Sequence, residues 1–450
     1  MKFLSKLSLV AILVLAMLIP GHANPTQASN LEIDSTLNNV LNKVTGWTEV
    51  EAILTYDAKP TAEELDLLKS LGLSLKTFSE LPIVGITGTA LEIDSLLKSK
   101  TNAVSIYKNK KLDYLMKDSR TVIGAEKVWS DLGYTGKGTT VAVIDSGIDG
   151  THPDLPFGSK VVQNVKMLVG GSIFGGQDVY LENVPNTDTS SGHGTHVAGT
   201  IAGLGEASDG LYAGVAPDAK LVGLGAGEGL NILWALESFN YVIEYQEEYG
   251  IDIISNSWGS TGEYSPNDPI NVASKIAHDN GMTVTFAAGN EGPEDNTLNP
   301  YSAAPWVISV AAGTKDKELA DFSSRGVAGD PLLHPDITAP GVDIVATKSS
   351  TGVIINTLGT TKDVNYIASE YLPYYTTSSG TSMATPHISG VLALMEEANP
   401  DLQPNDALSA LESTAEPMSG YAYHEVGAGY VDAYKAVQET LQTAAIAEPK

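Results

Sequence analysis

Val141-Ala142-Val143-Ile144-Asp145-Ser146-Gly147 is an apolar run that ends in a carboxylate and a small-residue turn. An apolar run without polar alternation reads as a strand buried on both faces, the kind found in parallel sheets covered by helices. Working outward, strand-like runs at Thr140–Ile144, Leu221–Gly223, Ile251–Ser255, Thr283–Ala287 and Val307–Ala311 alternate with helical stretches at Thr195–Gly203, Asn231–Glu248, Pro269–Asp279 and Thr385–Glu397. That alternation predicts an α/β fold of three layers, with a largely parallel central sheet between helices. Open sheets of this kind place their working groups at the C-terminal edge of the strands, which is where Asp145 falls.

Three more short stretches complete a chemical set: Gly192-His193-Gly194-Thr195-His196, Ala287-Ala288-Gly289-Asn290 and Gly380-Thr381-Ser382-Met383-Ala384. Asp145, His193 and Ser382 supply, in chain order, a carboxylate that can orient an imidazole, a base and a hydroxyl nucleophile. Asn290 adds an amide that can donate to an oxyanion. His193 sits between glycines where an apolar helical run begins. The positive end of a helix dipole disfavours imidazolium there and keeps the ring a base. Ser382 enters a helix through a tight turn, so its hydroxyl and its own N–H meet the same field.

Singly, each motif has a plainer reading: an Asp that caps a strand end, a Ser that caps a helix, an Asn in a turn. Jointly, in this order and each at a strand-to-helix junction, they form an acyl-transfer set that needs no cofactor for catalysis. His196 invites a metal reading, but helical metal pairs are spaced by four with an intervening glutamate, which is absent. It is read as structural.

Composition sets the boundaries. The 450 residues include no cysteine, which excludes disulfides, thiolate metal sites and a cysteine nucleophile. The net charge of −28 is unevenly placed: residues 1–116 hold 11 Lys, no Arg and 12 acids, so the remainder carries 15 bases and 42 acids. Such a surface repels nucleic acid and anionic membranes. Solubility, passage through an anionic cell wall, cation binding and life in salt would each account for it.

Lys2 and Lys6, the apolar run Leu7–Ile19 and the small residues of Gly21-His22-Ala23 make residues 1–23 a secretory signal peptide. The run falls short of the ~20 residues that span a bilayer. An extracellular location follows, and no membrane association is expected. Residues 24–46 are polar and read as a linker. From residue 47 to 116 the pattern is strand (Val50–Tyr56), helix capped by Thr61, strands Leu73–Phe78 and Ile83–Thr87, helix Ala90–Lys98 and strand Ala103–Tyr107. That βαββαβ order predicts a small α+β, ferredoxin-like domain. The α/β domain spans 117–437 and closes around Gly427–Ala433, leaving 438–450 as a short tail.

The chain resembles the subtilisin-family (subtilase) serine endopeptidases. The likeness spans Gly124–Ala436 and rests on Asp145-Ser146-Gly147-Ile148-Asp149, His193-Gly194-Thr195-His196-Val197-Ala198-Gly199-Thr200 and Gly380-Thr381-Ser382-Met383-Ala384-Thr385-Pro386-His387. It implies hydrolysis of protein or peptide substrates through an acyl-enzyme on Ser382, with Asn290 and the Ser382 amide holding the oxyanion. It also implies that Ser257-Trp258-Gly259 and Gly227-Glu228-Gly229 are the two walls between which the substrate lies as an inserted strand. Glu291 would border the S1 pocket, and Trp258 would shrink the S4 subsite. Residues 47–116 resemble the family's propeptide, an intramolecular inhibitor and folding aid, cut off near Tyr114-Leu115-Met116 by Ser382 itself. Lys98, Lys100, Lys108, Lys110 and Lys111 would steer this nearly neutral segment onto an acidic partner. A monomer is expected.

Three departures stand out. The family's calcium site aligns with Asp154, yet the loop Leu204–Tyr212 lacks the usual asparagine-bearing pattern; a structural calcium ion is still expected, with Asp154 and Asp209, beside Glu206, as the candidate oxygen donors. Leu221–Gly229 is shorter than usual. The stretch Val345–Thr377, with Tyr371, Tyr374 and Tyr375, is placed to rim the cleft. Two alternatives remain open: a dedicated precursor-processing peptidase, and an inactive peptide-binding relative, against which the intact set argues. An esterase would carry Gly-x-Ser-x-Gly around its serine, and Ser382 lacks it.

Overall fold

The computed structural model describes residues 31–79, 81–109, 119–168, 180–227 and 231–447. The chain divides into two compact units, residues 1–113 and 114–450. The signal-peptide stretch, the junction Tyr114–Met116, Glu228 and Gly229 lie outside the described residues.

In the first unit the elements are β1 (Glu32–Ile33), α1 (Ser35–Lys43), β2 (Glu49–Thr55), α2 (Ala62–Ser70), β3 (Ser74–Thr77), β4 (Ile83–Thr89), α3 (Ala90–Leu97) and β5 (Ser105–Lys108). The sheet order is β1-β5-β2-β4-β3, and β5, β2, β4 and β3 pair antiparallel. Thr61 and Thr89 cap α2 and α3, the latter through a reciprocal pairing with Glu92. One expectation fails here. Part of the segment read as linker is ordered: β1 pairs in parallel with β5, and Asp34 caps α1 by accepting from the Thr36 and Leu37 amides. The apolar residues Leu37, Val40, Leu41 and Val44 follow a helical spacing hidden in an Asn/Ser background, and Leu37 is fully buried.

The second unit begins with the short helices α4 (Ser119–Val122) and α5 (Ala125–Lys127). It continues through β6 (Thr140–Asp145), β7 (Val161–Met167), β8 (Tyr180–Leu181), α6 (His193–Ala202), β9 (Lys220–Gly225), α7 (Ile232–Glu244), α8 (Gln246–Tyr249), β10 (Ile251–Asn256), α9 (Pro269–Asp279) and β11 (Thr283–Ala287). Then come β12 (Ile308–Gly313), β13 (Ile337–Pro340), β14 (Ile344–Thr347), α10 (Ile354–Tyr366), β15 (Tyr375–Ser378), α11 (Thr381–Ala398), α12 (Pro404–Thr414), α13 (Tyr423–Val426) and α14 (Ala433–Ala447). The main sheet has the order β13-β12-β11-β10-β6-β9-β7-β8, parallel except for β8 against β7.

Strand β6 shows why a continuous apolar run is needed. Val141 and Val143 face one core with Val197 and Ile201 of α6 and Ile388 and Val391 of α11. Ala142 and Ile144 face the other, with Phe239 of α7 and Ala273 of α9. Alternate residues therefore serve opposite layers. The parallel register carries Asp145 opposite Gly225 and Ile144 opposite Asn256. The ends of β6, β9, β10 and β11 thus open on one edge of the sheet.

Two further expectations change. Helix α14 runs through the boundary placed at residue 437, with Val437 and Thr440 buried, so residues 438–447 continue the domain's last helix and are not a separate tail. The stretch before Ser382 forms the antiparallel pair β14–β15 around α10. Tyr375 turns into the core, fully buried, and does not rim the cleft.

Candidate active site

Asp145 leaves the end of β6 nearly enclosed, with its side chain 4% exposed. Its Oδ1 accepts from His193 Nδ1 at 2.7 Å and from the Ser146 amide at 2.7 Å. This contact makes Nδ1 the protonated nitrogen and leaves Nε2 as the basic one. His193 is the first residue of α6, after Gly192 at φ 87°. Gly194 has no room for a side chain, since a Cβ would lie 2.2 Å from the Gly147 carbonyl oxygen. The glycines of that motif let the helix start press directly against the turn that follows Asp145.

Ser382 is the second residue of α11, so its N–H is among those a helix cannot satisfy internally. Its hydroxyl donates to the Ser257 carbonyl at 2.8 Å. Asn290 is oriented by Thr381: its Oδ1 accepts from the Thr381 amide at 2.9 Å and the Thr381 hydroxyl at 3.0 Å. With the acceptor so used, the Nδ2 donors are left for the cavity of about 480 Å³ that Asn290 and Ser382 both line. Thr381 was not singled out from the sequence, although it stands inside the Gly-Thr-Ser motif. Its hydroxyl also accepts from the Gly289 amide, tying the two loops together.

Residues 136–439 match the model of the subtilase (peptidase S8) family. The chain is a subtilase. It is 34% identical over 372 residues to the serine protease AprX of Bacillus subtilis, covering 78% of each chain. Subtilisin E of the same organism is 36% identical over 313 residues, covering 68% of this chain and 67% of that one. The major intracellular serine protease of B. subtilis is 35% identical over 283 residues, 61% of this chain and 73% of that one. Among solved structures, sphericase superposes with a TM-score of 0.53 at 29% identity, covering 68% of this chain and 96% of that chain. A psychrophilic protease superposes at 0.54 with 28% identity and the same coverage. As a subtilase, the protein is a serine endopeptidase, and its fold is the α/β fold of that family.

The cavity beside Ser382 in this subtilase is lined by Trp258, Gly259, Gly289, Glu291, Thr297 and Asn299, among others. Asn299 is a second residue that the sequence did not single out. It is buried, and its Nδ2 donates to the carbonyls of Trp258 (3.1 Å) and Ala287 (3.0 Å), while Oδ1 accepts from the Ser260 and Tyr301 amides. One side chain therefore ties the Trp258–Ser260 wall to the end of β11. Gly259 has to be glycine, because a Cβ would meet the Asn299 amide at 2.3 Å. Trp258 lines the cavity as a fixed surface: its Nε1 donates to the Ile144 carbonyl at 2.8 Å and its ring meets Phe286 and Tyr301 edge-on. Gly227 lies beside this edge, its amide donating to the Ser146 carbonyl at 3.1 Å.

His196 lies on the same helix as His193, fully buried, with Nε2 donating to the Ile344 and Thr376 carbonyls. Burial and the nearby His193 push it down to about 4, so it is a neutral core residue.

The calcium expectation does not fit the residues present. Asp154 is fully buried. Its Oδ1 accepts from the Ala207 amide at 3.0 Å and its Oδ2 from the Tyr375 hydroxyl at 2.6 Å. A neutral phenol stands where a cation would have to bind, and burial together with the Asp154 charge holds that phenol protonated. Asp209 is exposed, in a left-handed turn at φ 51°. Among the described residues no group of three or more His, Cys, Asp or Glu is arranged to hold a metal ion. The loop is secured by Tyr375, Ser208 and Asp154. Among those residues, no helix is long and apolar enough to cross a membrane.

Proposed function

We propose that this subtilase is a secreted endopeptidase made as a zymogen, in which Asp145, His193, Ser382 and Asn290 carry the reaction. The observation that carries this reading is the 2.7 Å contact between Asp145 and His193 Nδ1, made at the edge of the sheet where Ser382 and Asn290 share one cavity. His193 Nε2 takes the Ser382 proton as Oγ attacks the scissile carbonyl carbon. Asp145 holds the tautomer and offsets the imidazolium charge. The carbonyl oxygen, now an anion, is met by Asn290 Nδ2 and the Ser382 N–H at the positive start of α11. Collapse expels the amine, which takes its proton from His193, and leaves the acyl group on Ser382. Water then repeats the sequence, giving its proton to His193 and releasing the acid.

Substrate would enter as a strand between Ser257-Trp258-Gly259 and the Gly227–Gly229 segment, with its side chain in the cavity pinned by Asn299 and Glu291 at the mouth. The export reading rests on Lys2, Lys6, Leu7–Ile19 and Gly21-His22-Ala23. The relatives' names do not decide it, since they include both subtilisins and a protease named as intracellular. The inhibitor reading of the first unit rests on its ferredoxin-like strand order and its place before the peptidase domain.

Replacing Ser382 with Ala tests both halves. The variant is expected to lose peptide hydrolysis by about six orders of magnitude and to accumulate as an uncut chain that contains the first unit. Normal maturation of the variant would assign the cut to another protease.

A further inference from the structure

We infer that Asp188 is the positioning residue that locks His193 to Asp145. Asp188 is fully buried in the segment leading into α6, and four donors converge on its carboxylate. Oδ1 accepts from the Ser146 hydroxyl at 3.1 Å and the Gly192 amide at 2.9 Å. Oδ2 accepts from the Thr195 amide at 3.1 Å and the Thr195 hydroxyl at 2.6 Å. Gly192 and Thr195 bracket His193 in the chain, while Ser146 follows Asp145.

The Ser146 hydroxyl accepts in turn from the Gly194 amide at 2.8 Å. The two catalytic motifs are thus joined by two hydrogen bonds that meet at the Ser146 hydroxyl, one to Asp188 and one from Gly194. Gly192 offers no side-chain cap of its own, so Asp188 satisfies the first turn of α6 from four residues upstream.

The placement also has an electrostatic consequence. Burial, with the nearby Asp145 charge, holds the Asp188 carboxyl above its ordinary value although the Thr195 and Gly192 donors oppose this; every hydrogen bond made to its oxygens comes from a donor, which suits the ionised form. As an anion behind Asp145, it favours the imidazolium that His193 becomes during the reaction. Among the described residues, the groups near that ring include Asp145, which also favours the cation, and His196, which is neutral and buried in the same helix. Lys166 reaches the neighbouring Thr187 carbonyl at 2.6 Å and opposes the cation. Removing the Asp188 charge therefore lowers the pH at which His193 becomes a free base.

The inference rests on the roles proposed for Asp145 and His193, and the test separates the two. In the mature enzyme, Asp188→Asn is expected to lower kcat by about 10²-fold through misplacement of the ring, with KM unchanged. The acidic limb of its kcat/KM–pH profile moves to lower pH. Ser146→Ala keeps the charge and the Asp188 contacts to Gly192 and Thr195 but removes both hydrogen bonds that tie them to the Asp145 turn, so kcat falls while the limb stays in place. It also covers the case in which Asp188→Asn does not fold. Hydrolysis by the wild-type enzyme, lost in Ser382→Ala, checks the functional reading by itself. A folded Asp188→Asn with wild-type kcat and an unmoved acidic limb overturns the inference, as does wild-type kcat in Ser146→Ala.

Discussion

Helices α6 and α11 both begin at the active site, and they treat the positive charge of their N-termini in opposite ways. At the start of α6 a buried anion from the protein itself, Asp188, takes the Gly192 and Thr195 amides. At the start of α11 the Thr381 amide goes to a neutral group, the Asn290 carbonyl oxygen. No carboxylate of the protein is placed to compensate this terminus among the hydrogen bonds described for it. The helix that carries the base is electrostatically closed, and the one that carries the nucleophile keeps its field for a substrate oxyanion. A base has to be held in one orientation throughout, while an oxyanion exists only near the transition state.

The far ends of the two helices extend the contrast. Beside the loop that follows α6, each carboxylate oxygen of Asp154 accepts a hydrogen bond, from Ala207 and from Tyr375. In the last turns of α11, Glu396 is buried, and burial with the nearby Asp252 pushes its carboxyl up to about 9.

The largest way to break the comparison is at α11. Asn290→Leu removes the donor that Thr381 aims, and kcat is expected to fall by about 10²–10³-fold with KM little changed, measured on a peptide substrate. Retention of wild-type kcat would mean that the oxyanion is held elsewhere.

A smaller effect is expected beyond α6. Tyr375→Phe takes one donor from a buried carboxylate, a loss of about 1–3 kcal/mol. In a Ser382→Ala background, which prevents self-digestion, it should lower Tm, and added calcium ion should not restore it. Recovery with calcium would show that the loop is a cation site after all.

A separate effect, read in the pH dependence of stability, sits at the end of α11. The folded-state pKa of Glu396 is raised above its ordinary value of 4.5 to about 9, so folding takes up a proton. Its contribution is fully present below about pH 4.5 and is lost as pH rises to about 9, with a slope of at most about 1.4 kcal/mol per pH unit. In the same background, Glu396→Gln should flatten the fall of Tm between these limits. An unaltered slope would place the pH dependence in other groups.

How much of this was legible in the sequence depends on whether a residue's role is local. Asp145, His193, Asn290 and Ser382 stand in short motifs whose glycines and strand-to-helix turns are local requirements, and the apolar period of β6 and its neighbours predicted the sheet. Asp188, Thr381 and Asn299 act through partners that only the fold brings near: Ser146 is 42 residues from Asp188 in the chain, and Trp258 is 41 from Asn299. Nothing in an isolated Asp or Asn marks it as such a clamp. Tyr375 misled for the same reason. Its partner Asp154 lies 221 residues away, so an aromatic in an extended insertion looked like a cleft rim. Helix α1 was missed for a different reason, since its few apolar residues are outnumbered by polar ones that normally mark loops.

The closed and open termini can be compared directly in the pH profile of kcat/KM for Asp188→Asn and Asn290→Leu, measured beside the wild-type enzyme. Asp188→Asn is expected to shift the acidic limb to lower pH, and Asn290→Leu to lower the whole profile without moving that limb. Identical displacement of the limb in both variants, or in neither, would contradict this.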